Sequence, residues 1–300
     1  MTAQIMDGRR VAKALKDEVA EEVSRLRGHR CRLATVMVGQ DYSARAYERR
    51  LVRVADELGV GYQGHTLPAS SAVEDVLAVI GGLNADPRVS GILVLRPLPA
   101  QVDEALVFTA LSPYKDIEAV HPVNAGLLAL GTPRFMPSTP ASVFYLLDSW
   151  LDEVGESRPE FYHRSTIVVV GRSNNVGKPA ALLGYARQAV TVSCDEWVSR
   201  TGRLAEVTSG ADVLIVAAGV AGLIGAEHVS PEMVVLDVGI NPVTDPVEGT
   251  VHLVGDVDFA AVAPVVRAIS PVPGGVGPVT DVWLMRNTAA AARLIMAASS

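Results

Sequence analysis

A run of proline and glycine near the end of the chain has the residue types of a ligand-holding loop. Three prolines and three glycines fall within Ser270–Pro278, and Thr280 follows shortly after. Proline fixes φ and glycine permits positive φ, so such a run holds one unusual backbone path whose N–H groups can approach a ligand closely. A single Pro-Gly pair is usually a surface turn. The density of both residues here favours ligand binding instead.

A second candidate is the segment Gly171–Pro179, which reads Gly-Arg-Ser-Asn-Asn-Val-Gly-Lys-Pro. It follows the apolar run Thr166–Val170 and precedes a helical pattern through Arg187. A strand, a glycine turn and a helix N-terminus together form an anion site, because free backbone N–H groups and the helix dipole favour a phosphate. Alone the turn is a weak signal, since it lacks the Gly-x-Gly-x-x-Gly spacing and many such turns only pack a helix against a strand.

Asp195 strengthens the nucleotide interpretation, because it ends the next strand, 24 residues after Gly171. In a dinucleotide fold this carboxylate accepts hydrogen bonds from the ribose hydroxyls and repels a 2′-phosphate, which indicates NAD. Arg172 argues the other way, because a guanidinium beside the turn can pair with a 2′-phosphate. We weight Asp195 above Arg172 and expect NAD, with NADP as the alternative.

These candidates need strands and helices to position them. In the first half, patterns predict a helix over Arg9–Leu26, strands over Cys31–Val38, Gly61–Leu67 and Gly91–Leu95, and helices over residues 41–59 and 72–83. In the second half they predict strands over Thr166–Val170, Ala189–Val192, Val213–Ala217 and Val234–Asp237. Alternating strands and helices predict parallel sheets covered by helices, and the second half has the pattern of a doubly wound, Rossmann-like nucleotide domain.

Length and composition are those of a two-domain globular protein. The chain has 300 residues, 49% hydrophobic and 20% charged, and a net charge of −7 without a basic block, which disfavours nucleic-acid binding. Cys31 and Cys194 lie far apart, so we expect two reduced thiols and neither a disulfide nor a metal site. We also expect no membrane span and a cytoplasmic location, because no signal-peptide pattern or long apolar run is present. A polar stretch over residues 149–165 is interpreted as the approach to the second domain.

Several separated motifs together resemble the bifunctional methylenetetrahydrofolate dehydrogenase/methenyltetrahydrofolate cyclohydrolase family. The resemblance covers nearly the whole chain. The motifs are Val38-Gly39 with Tyr47, Gly91-Ile-Leu-Val with Pro97-Leu-Pro99, Lys115-Asp116 with His121-Pro122 and Asn124-Ala-Gly126, Pro137-x-Thr-Pro140, Gly171–Pro179, Asp237–Asn241, Gly255–Phe259 and Pro271–Pro278.

The resemblance implies an α/β folate-binding catalytic domain over residues 1–148, completed by a C-terminal helix over 281–300, and an NAD(P) domain over 149–280, with the substrate in the cleft between them. It also implies a homodimer that binds a reduced folate and acts on 5,10-methylenetetrahydrofolate. The implied cofactor-binding residues are Gly171, Arg172, Ser173, Val176, Gly177, Asp195, Gly239 and Ile240. The implied substrate-binding residues are Tyr47, Arg96, Pro97, Glu118, Pro273, Gly274, Gly275 and Thr280.

Four positions correspond in sequence to the family's catalytic and pterin-binding residues, and here they are Tyr47, Leu51, Leu95 and Glu118. Tyr47 fits the family pattern, which has a catalytic Lys where this chain has Leu51 and a Gln where it has Leu95. Arg96 replaces the usual Leu, and Glu118-Ala119 replaces an Asp-Gly pair. The two replacements by Leu make physical sense together. In the family the Lys and Gln side chains form a hydrogen bond, and replacing only one of them would leave a buried polar group unpaired, at a cost of about 1–3 kcal/mol.

These changes favour a dehydrogenase whose cyclohydrolase activity is lost or weak, because an alkyl side chain cannot activate water whereas hydride transfer mainly requires alignment. Arg50 or Arg96 could instead bind an anionic group, and Glu118 could bind the pterin or be a solvated loop residue. A plainer interpretation of Leu51 is that it completes the apolar stripe of Tyr47, Val54 and Leu58 and that the pocket has lost its chemistry. A second function is that of an enzyme on the same scaffold whose pocket, reshaped by Leu51, Leu95 and Arg96, serves another substrate. A third is a non-catalytic paralogue that binds nucleotide or folate.

Overall fold

The computed structural model describes residues 3–26, 31–244 and 250–298. Within these ranges the helices are α1 Gly8–Arg25, α2 Tyr42–Glu57, α3 Val73–Ala85, α4 Glu104–Ala110, α5 Pro122–Ala129, α6 Ser138–Val154, α7 Arg158–Arg164, α8 Gly177–Ala186, α9 Glu196–Arg200, α10 Leu204–Thr208, α11 Phe259–Val262 and α12 Val276–Ala298. The strands are β1 Gln4–Ile5, β2 Arg32–Val38, β3 Gly61–Leu67, β4 Gly91–Val94, β5 Thr166–Val170, β6 Val190–Cys194, β7 Val213–Val216, β8 Val234–Asp237, β9 Asn241–Thr244, β10 Val251–Val254 and β11 Ala268–Ile269.

The described residues form two compact units, one within residues 14–138 and 281–298 and one within residues 3–13 and 139–280. We call the first the Tyr47 unit and the second the nucleotide unit. The expected division at 148/149 differs from this one, because 148 falls inside helix α6. The first residues of the chain belong to the nucleotide unit because β1 pairs with β11. Residues 1, 2, 299 and 300, which the expected domain bounds include, lie outside the described residues.

The Tyr47 unit is built on a parallel sheet in the order β3-β2-β4. Strand β2 pairs with β3 from Arg32↔Gly61 to Val38↔Leu67 and with β4 from Leu33↔Gly91. Helix α2 begins because the Asp41 side chain accepts the N–H of Ala44, and it ends near Gly59, which has φ +69°. Its buried face, with that of α3, covers the sheet. The predicted parallel α/β architecture is therefore confirmed for this half.

The nucleotide unit contains a six-stranded parallel sheet in the order β1-β11-β8-β7-β5-β6. Strands β5, β7 and β8 are almost entirely buried, as their continuous Val/Ile/Leu sequences predict for parallel strands covered on both faces. The chain leaves β5 for β6 on one side and returns to β7 on the other. This reversal is the topological switch point of a Rossmann-like domain, which confirms the predicted fold class.

Two features of this unit differ from the sequence analysis. The polar stretch over 149–165, which we expected to be the approach to the second domain, is part of the nucleotide unit, because most of it is helical in α6 and α7 and its side chains Trp150, Phe161 and Tyr162 are buried. The Phe161 and Tyr162 rings pack edge to face with centroids 5.8 Å apart. An antiparallel pair, β9 with β10, was not predicted, since its residues are largely exposed and lack an apolar run.

Candidate functional site

Tyr47 lies on α2 between two guanidinium groups and two carboxylates. The Arg50 guanidinium lies 5.1 Å from the centroid of the Tyr47 ring. Burial, together with the nearby carboxylates of Glu118 and Asp281, raises the pKa of the Tyr47 phenol well above its usual value. The structure therefore brings Tyr47 and Glu118 together as expected. At neutral pH Tyr47 is a neutral hydrogen-bonding group.

Arg50 forms a two-point ion pair with Asp281, a residue that the sequence analysis missed. Nε of Arg50 donates to Oδ2 of Asp281 at 2.8 Å, and Nη2 donates to Oδ1 at 3.3 Å. The Asp281 side chain is only 8% exposed whereas that of Arg50 is 44% exposed. Burial raises the pKa of Asp281, and the Arg50 guanidinium opposes this shift. The sequence feature that could have indicated Asp281 is a single carboxylate among the largely apolar residues Val279–Leu284 of α12.

Arg96 and Glu118 form a second ion pair, with Nη2 of Arg96 3.6 Å from Oε2 of Glu118. Arg96 also lies 3.6 Å from Glu104 and places its guanidinium 5.2 Å from the Phe108 ring centroid. Burial raises the pKa of Glu118 and the Arg96 guanidinium opposes the shift. Glu118 is thus a half-buried, paired carboxylate and not a solvated loop residue. Pro97, joined to Arg96 by a cis peptide bond, is exposed.

Leu51 and Leu95 are both interior side chains, 0% and 2% exposed. Leu51 lies on the buried face of α2 with Ala44, Val54 and Ala55. Leu95 directly follows β4, and its backbone N–H donates to the carbonyl oxygen of Val36. The structure therefore places alkyl side chains at the two positions where the resemblance implies an ammonium and an amide.

The loop that carries Glu118 is fixed by buried polar groups. The Lys115 ammonium donates to three carbonyl oxygens at the end of α3, those of Leu83, Asn84 and Asp86, at 2.7–2.9 Å. The fully buried Asp116 accepts the N–H groups of Val120 and His121 and the amide of Asn124. Asn287 of α12 binds the carbonyl oxygens of Ile117 and Met136. These motif residues are scaffold, and they hold Ala119 at φ +56°.

In the nucleotide unit, Gly171 makes the tight turn that the sequence predicts. It has φ +116°, and a Cβ there would collide with the carbonyl oxygen of Ala217 at the end of β7. The Ser173 hydroxyl accepts weak hydrogen bonds from Val176 and Gly177, 3.2 and 3.4 Å long, at the start of α8. The loops at the switch point thus meet at a helix N-terminus, a geometry that fits a nucleotide phosphate.

Arg172 and Asp195, which gave opposite indications in the sequence, are bound to each other. Nη1 of Arg172 donates to Oδ2 of Asp195 at 2.9 Å. The same guanidinium donates to the hydroxyl and the carbonyl oxygen of Ser193. The other carboxylate oxygen, Oδ1, accepts the N–H groups of Trp197 and Val198 and caps α9. The charge of Arg172 is therefore largely compensated within the protein.

The remaining predicted residues also lie in the nucleotide unit. Gly239 and Ile240 follow β8 at the carboxyl edge of the sheet, where Ile240 is exposed. The proline- and glycine-rich loop is shorter than expected, because Val276, Gly277 and Pro278 form the first turn of α12. Proline is tolerated there because the N–H groups of the first helical turn have no partner within the helix. Pro273 is exposed, Gly274 has φ +116°, Gly275 is buried and the Thr280 hydroxyl donates to the carbonyl oxygen of Val276.

A surface cavity of about 640 Å³ lies elsewhere, between α2 and β3, and is lined by none of the predicted site residues. At its base Glu48 accepts hydrogen bonds from the Thr35 and Tyr62 hydroxyls at 2.8 and 2.6 Å. These polar groups satisfy one another. In the described part of the chain no helix is long and apolar enough to cross a membrane, and no three His, Cys, Asp or Glu side chains are grouped to hold a metal ion.

The fold and these loops define a two-unit α/β protein with a Rossmann-like nucleotide unit. Residues 6–118 match the family description "Tetrahydrofolate dehydrogenase/cyclohydrolase, catalytic domain", and residues 137–296 match "Tetrahydrofolate dehydrogenase/cyclohydrolase, NAD(P)-binding domain". The chain belongs to this tetrahydrofolate dehydrogenase/cyclohydrolase family of NAD(P)-dependent enzymes.

Relatives and solved structures agree with this assignment. The chain is 62% identical over 296 residues to "Bifunctional protein FolD 3" of Rubrobacter xylanophilus, covering 98% of this chain and 93% of that one. It is 42% identical over 300 residues to "Bifunctional protein FolD" of Geobacillus thermodenitrificans, covering 99% and 100%. The crystal structure of Trypanosoma brucei FolD complexed with NADP and an inhibitor has a TM-score of 0.89 at 31% identity, with 98% of both chains covered.

Proposed function

We propose that this protein oxidises 5,10-methylenetetrahydrofolate to 5,10-methenyltetrahydrofolate with NAD as its preferred acceptor, and that its cyclohydrolase activity is lost or weak. Membership of the family supports the dehydrogenase reaction. The observation that carries the loss of hydrolysis is the full burial of Leu51 and Leu95, where the family pattern has Lys and Gln. In this proposal the catalytic set, which supports hydride transfer but little or no hydrolysis, consists of Tyr47, Leu51, Leu95 and Glu118.

Addition of water to a methenyl carbon needs a side chain that accepts a proton. Arg50 and Arg96 keep their charge near neutral pH and cannot do so. The phenol of Tyr47 stays protonated because its pKa is raised by burial. The carboxylates of Asp281 and Glu118 are each held by a guanidinium. None of these described residues near Tyr47 therefore supports hydrolysis as well as a free lysine would.

Hydride transfer has smaller demands on the protein. A nicotinamide cofactor, when bound to the nucleotide unit, supplies the hydride acceptor. Tyr47 orients the pterin, the interior side chains of Leu51 and Leu95 keep water out of this region, and Glu118 binds the pterin amino group and ring N–H. The loop of Pro273, Gly274, Gly275 and Thr280 provides further substrate contacts. Gly171, Ser173, Val176, Gly177, Gly239 and Ile240 bind the cofactor.

The preference for NAD rests on the Arg172–Asp195 ion pair. A 2′-phosphate approaching this pair meets the Asp195 carboxylate and a guanidinium that is already bound to Ser193 and Asp195. The ribose hydroxyls of NAD need only acceptors, which Asp195 supplies. A homodimer in the cytoplasm is the further expectation, and analytical ultracentrifugation of the purified chain measures the oligomeric state.

A paired assay on purified protein tests the proposal. It follows formation of the methenyl product from 5,10-methylenetetrahydrofolate with NAD and with NADP, beside hydrolysis of authentic 5,10-methenyltetrahydrofolate. We expect cofactor reduction, faster with NAD, without enzymatic hydrolysis. Hydrolysis at a rate comparable to dehydrogenation would show that Leu51 does not limit this activity.

One observation favours an alternative, in which the same scaffold acts on a different substrate. Glu118, the group expected to bind the pterin, is already paired with Arg96. A substrate carrying its own anion could instead bind Arg96. Failure to turn over 5,10-methylenetetrahydrofolate, together with nucleotide binding and turnover of another compound, would favour this alternative. Ligand binding without any turnover would favour a non-catalytic paralogue.

A further inference from the structure

Two aspartates of the nucleotide unit, Asp237 and Asp256, are buried next to each other, and neither forms an ion pair with an Arg, Lys or His side chain within the described residues. They are 3% and 0% exposed. Asp237 is the last residue of β8, and Asp256 follows β10. Buried carboxylates are costly unless hydrogen bonds satisfy them, so their partners show what the pair does.

The Asp237 carboxylate accepts three backbone hydrogen bonds. Oδ1 accepts the N–H of Gly239 at 2.9 Å and that of Asp256 at 3.1 Å, while Oδ2 accepts the N–H of Val257 at 3.0 Å. The backbone N–H of Asp237 itself donates to the Ser270 hydroxyl at 2.9 Å. One side chain thus connects the loop after β8 with the segment after β10.

The Asp256 carboxylate extends this connection to the next strand. Its Oδ2 accepts the N–H groups of Ala218 and Gly219, in the loop after β7, at 2.6 and 2.8 Å. Its Oδ1 accepts the side-chain amide of Asn241, at the start of β9, at 2.8 Å. The two carboxylates together fasten the loops that follow β7, β8 and β10.

We propose that Asp237 and Asp256 are positioning residues that hold the carboxyl-edge loops of the nucleotide unit, including Gly239 and Ile240, in the path that binds the nicotinamide cofactor. Ligands of doubly wound sheets bind outside the carboxyl ends of the strands, next to the switch point, and these are the loops that the pair connects. The inference rests on the proposed function only in placing the cofactor at this edge.

The electrostatics of the two aspartates predict that cofactor affinity depends on pH. Burial raises the pKa of Asp237 to about 6, and the charge of Asp256 contributes in the same direction. The Asp237 carboxylate faces the carboxylate of Asp256 and the backbone N–H donors of Gly239, Asp256 and Val257. Protonation converts one acceptor oxygen into a hydroxyl that faces donors. Below pH 6 the loops should therefore be held less firmly and the cofactor should bind less tightly.

Folding stability should show the opposite trend, which separates positioning from a purely structural role. The pKa of Asp237 is higher in the folded protein than its ordinary value of 3.8, so the folded state binds this proton more tightly than the unfolded state does. The contribution of Asp237 to stability is then largest at low pH and is lost as pH rises from about 4 to about 6. Cofactor affinity should rise over the upper part of the same range.

Calorimetric titration of the full chain with NAD, from pH 5.5 to 7.5, tests the proposal. In the wild type we expect Kd to rise severalfold towards pH 5.5. In Asp237→Asn we expect Kd to be about tenfold higher at pH 7.5, with the pH dependence removed, because a charge-assisted hydrogen bond is lost. Asp256→Asn should also weaken binding. Asp212→Asn is the control, since Asp212 accepts the backbone N–H of Thr166 at the opposite edge of the sheet.

Each outcome decides between the two proposals. An Asp237→Asn variant that folds and binds NAD like the wild type would refute the positioning role, whereas a wild-type Kd independent of pH would refute only the pH dependence. If Asp237→Asn does not fold, Asp256→Asn decides, and a folded Asp256→Asn variant that binds NAD like the wild type would refute the positioning role. Absence of NAD and NADP binding by the wild type would overturn both this inference and the proposed dehydrogenase. NAD binding with the expected pH profile, but without folate turnover, would leave only the dehydrogenase refuted.

Discussion

The carboxylates near Tyr47 and those near the carboxyl-edge loops of the nucleotide unit are held in different ways. In the Tyr47 unit, Asp281 and Glu118 pair with the side chains of Arg50 and Arg96. In the nucleotide unit, Asp237 bonds to backbone N–H groups, and Asp256 does so except for one bond to Asn241. A pair of side chains can be replaced by two substitutions, whereas backbone donors are present whatever the neighbouring residue is. This difference fits the proposal that the chemistry near Tyr47 has changed while the nucleotide unit has kept the family pattern.

The largest expected effect comes from restoring the polar pair of the family pattern. Leu51→Lys with Leu95→Gln should raise hydrolysis of 5,10-methenyltetrahydrofolate by about a hundredfold or more, because it returns a group that manages protons. Hydrolysis is measured by the decay of methenyl absorbance. Leu51→Lys alone should be strongly destabilising, since an ammonium without its amide partner is buried.

Leu51→Met with Leu95→Met is the matched control, since it changes both side chains while keeping them apolar. It should leave hydrolysis at the wild-type level. A well-folded Lys/Gln variant without any gain would mean that the rest of the Tyr47 region, Glu118 first, has also diverged.

A double-mutant cycle measures how firmly the Tyr47 region is held by its ion pairs. Arg50→Ala and Asp281→Asn should show a coupling of about 1–2 kcal/mol in the free energy of unfolding. This value is below that of a fully buried pair because the Arg50 side chain is 44% exposed. Urea denaturation gives the free energies. The exposed Arg25–Glu21 pair is the control, with an expected coupling of about 0.3 kcal/mol. Equal couplings would contradict the structural difference between the pairs.

The Arg172–Asp195 pair gives a smaller effect, on cofactor choice. Asp195→Ser frees the Arg172 guanidinium and removes a carboxylate, so the ratio of kcat/KM for NAD to that for NADP should fall about tenfold. Serine is also a good N-cap, so α9 should keep its start. Glu196→Ser, next in sequence and paired with Arg200, should leave the ratio unchanged. An unaltered ratio in Asp195→Ser would remove this residue from cofactor selection.

How much could be predicted from sequence also differs between elements. Strands β2, β5 and β8 were predicted to within a residue, because apolar runs ended by glycine or polar residues allow few alternatives. The two-residue strands β1 and β11 carry no periodic signal, and their pairing joins residues 4 and 268. Tertiary contact alone determines such elements.

The candidate site shows the same limit. The sequence identified Tyr47, Glu118 and the Gly171 turn, since each lies in a recognisable motif. It did not reveal that Asp281 pairs with Arg50 or that Arg172 and Asp195 bind each other. Residue types and spacing indicate which groups are available, but partner choice depends on distances that only the folded chain supplies.

The smallest effects concern two residues with left-handed backbone, Ala119 in the Tyr47 unit and Gln188 in the nucleotide unit, at φ +56° and +65°. Gln188→Gly should raise the free energy of unfolding by about 0.5 kcal/mol, because relief of about 1–2 kcal/mol of strain exceeds the extra entropy of glycine in the unfolded chain. Ala119→Gly should change it less, since Ala119 is buried and its methyl group contributes about 0.8 kcal/mol when removed from water.

Urea denaturation of both variants compares the two positions directly. A clear gain at Gln188 with almost none at Ala119 would show that burial offsets the strain where alanine replaces the family's glycine, so that this change beside Glu118 costs the fold little. A large gain at Ala119 would instead mean that the Tyr47 region keeps an unfavourable backbone at its substrate site. In that case the strain itself, and not only the proposed loss of the catalytic lysine, would distinguish this region from the nucleotide unit.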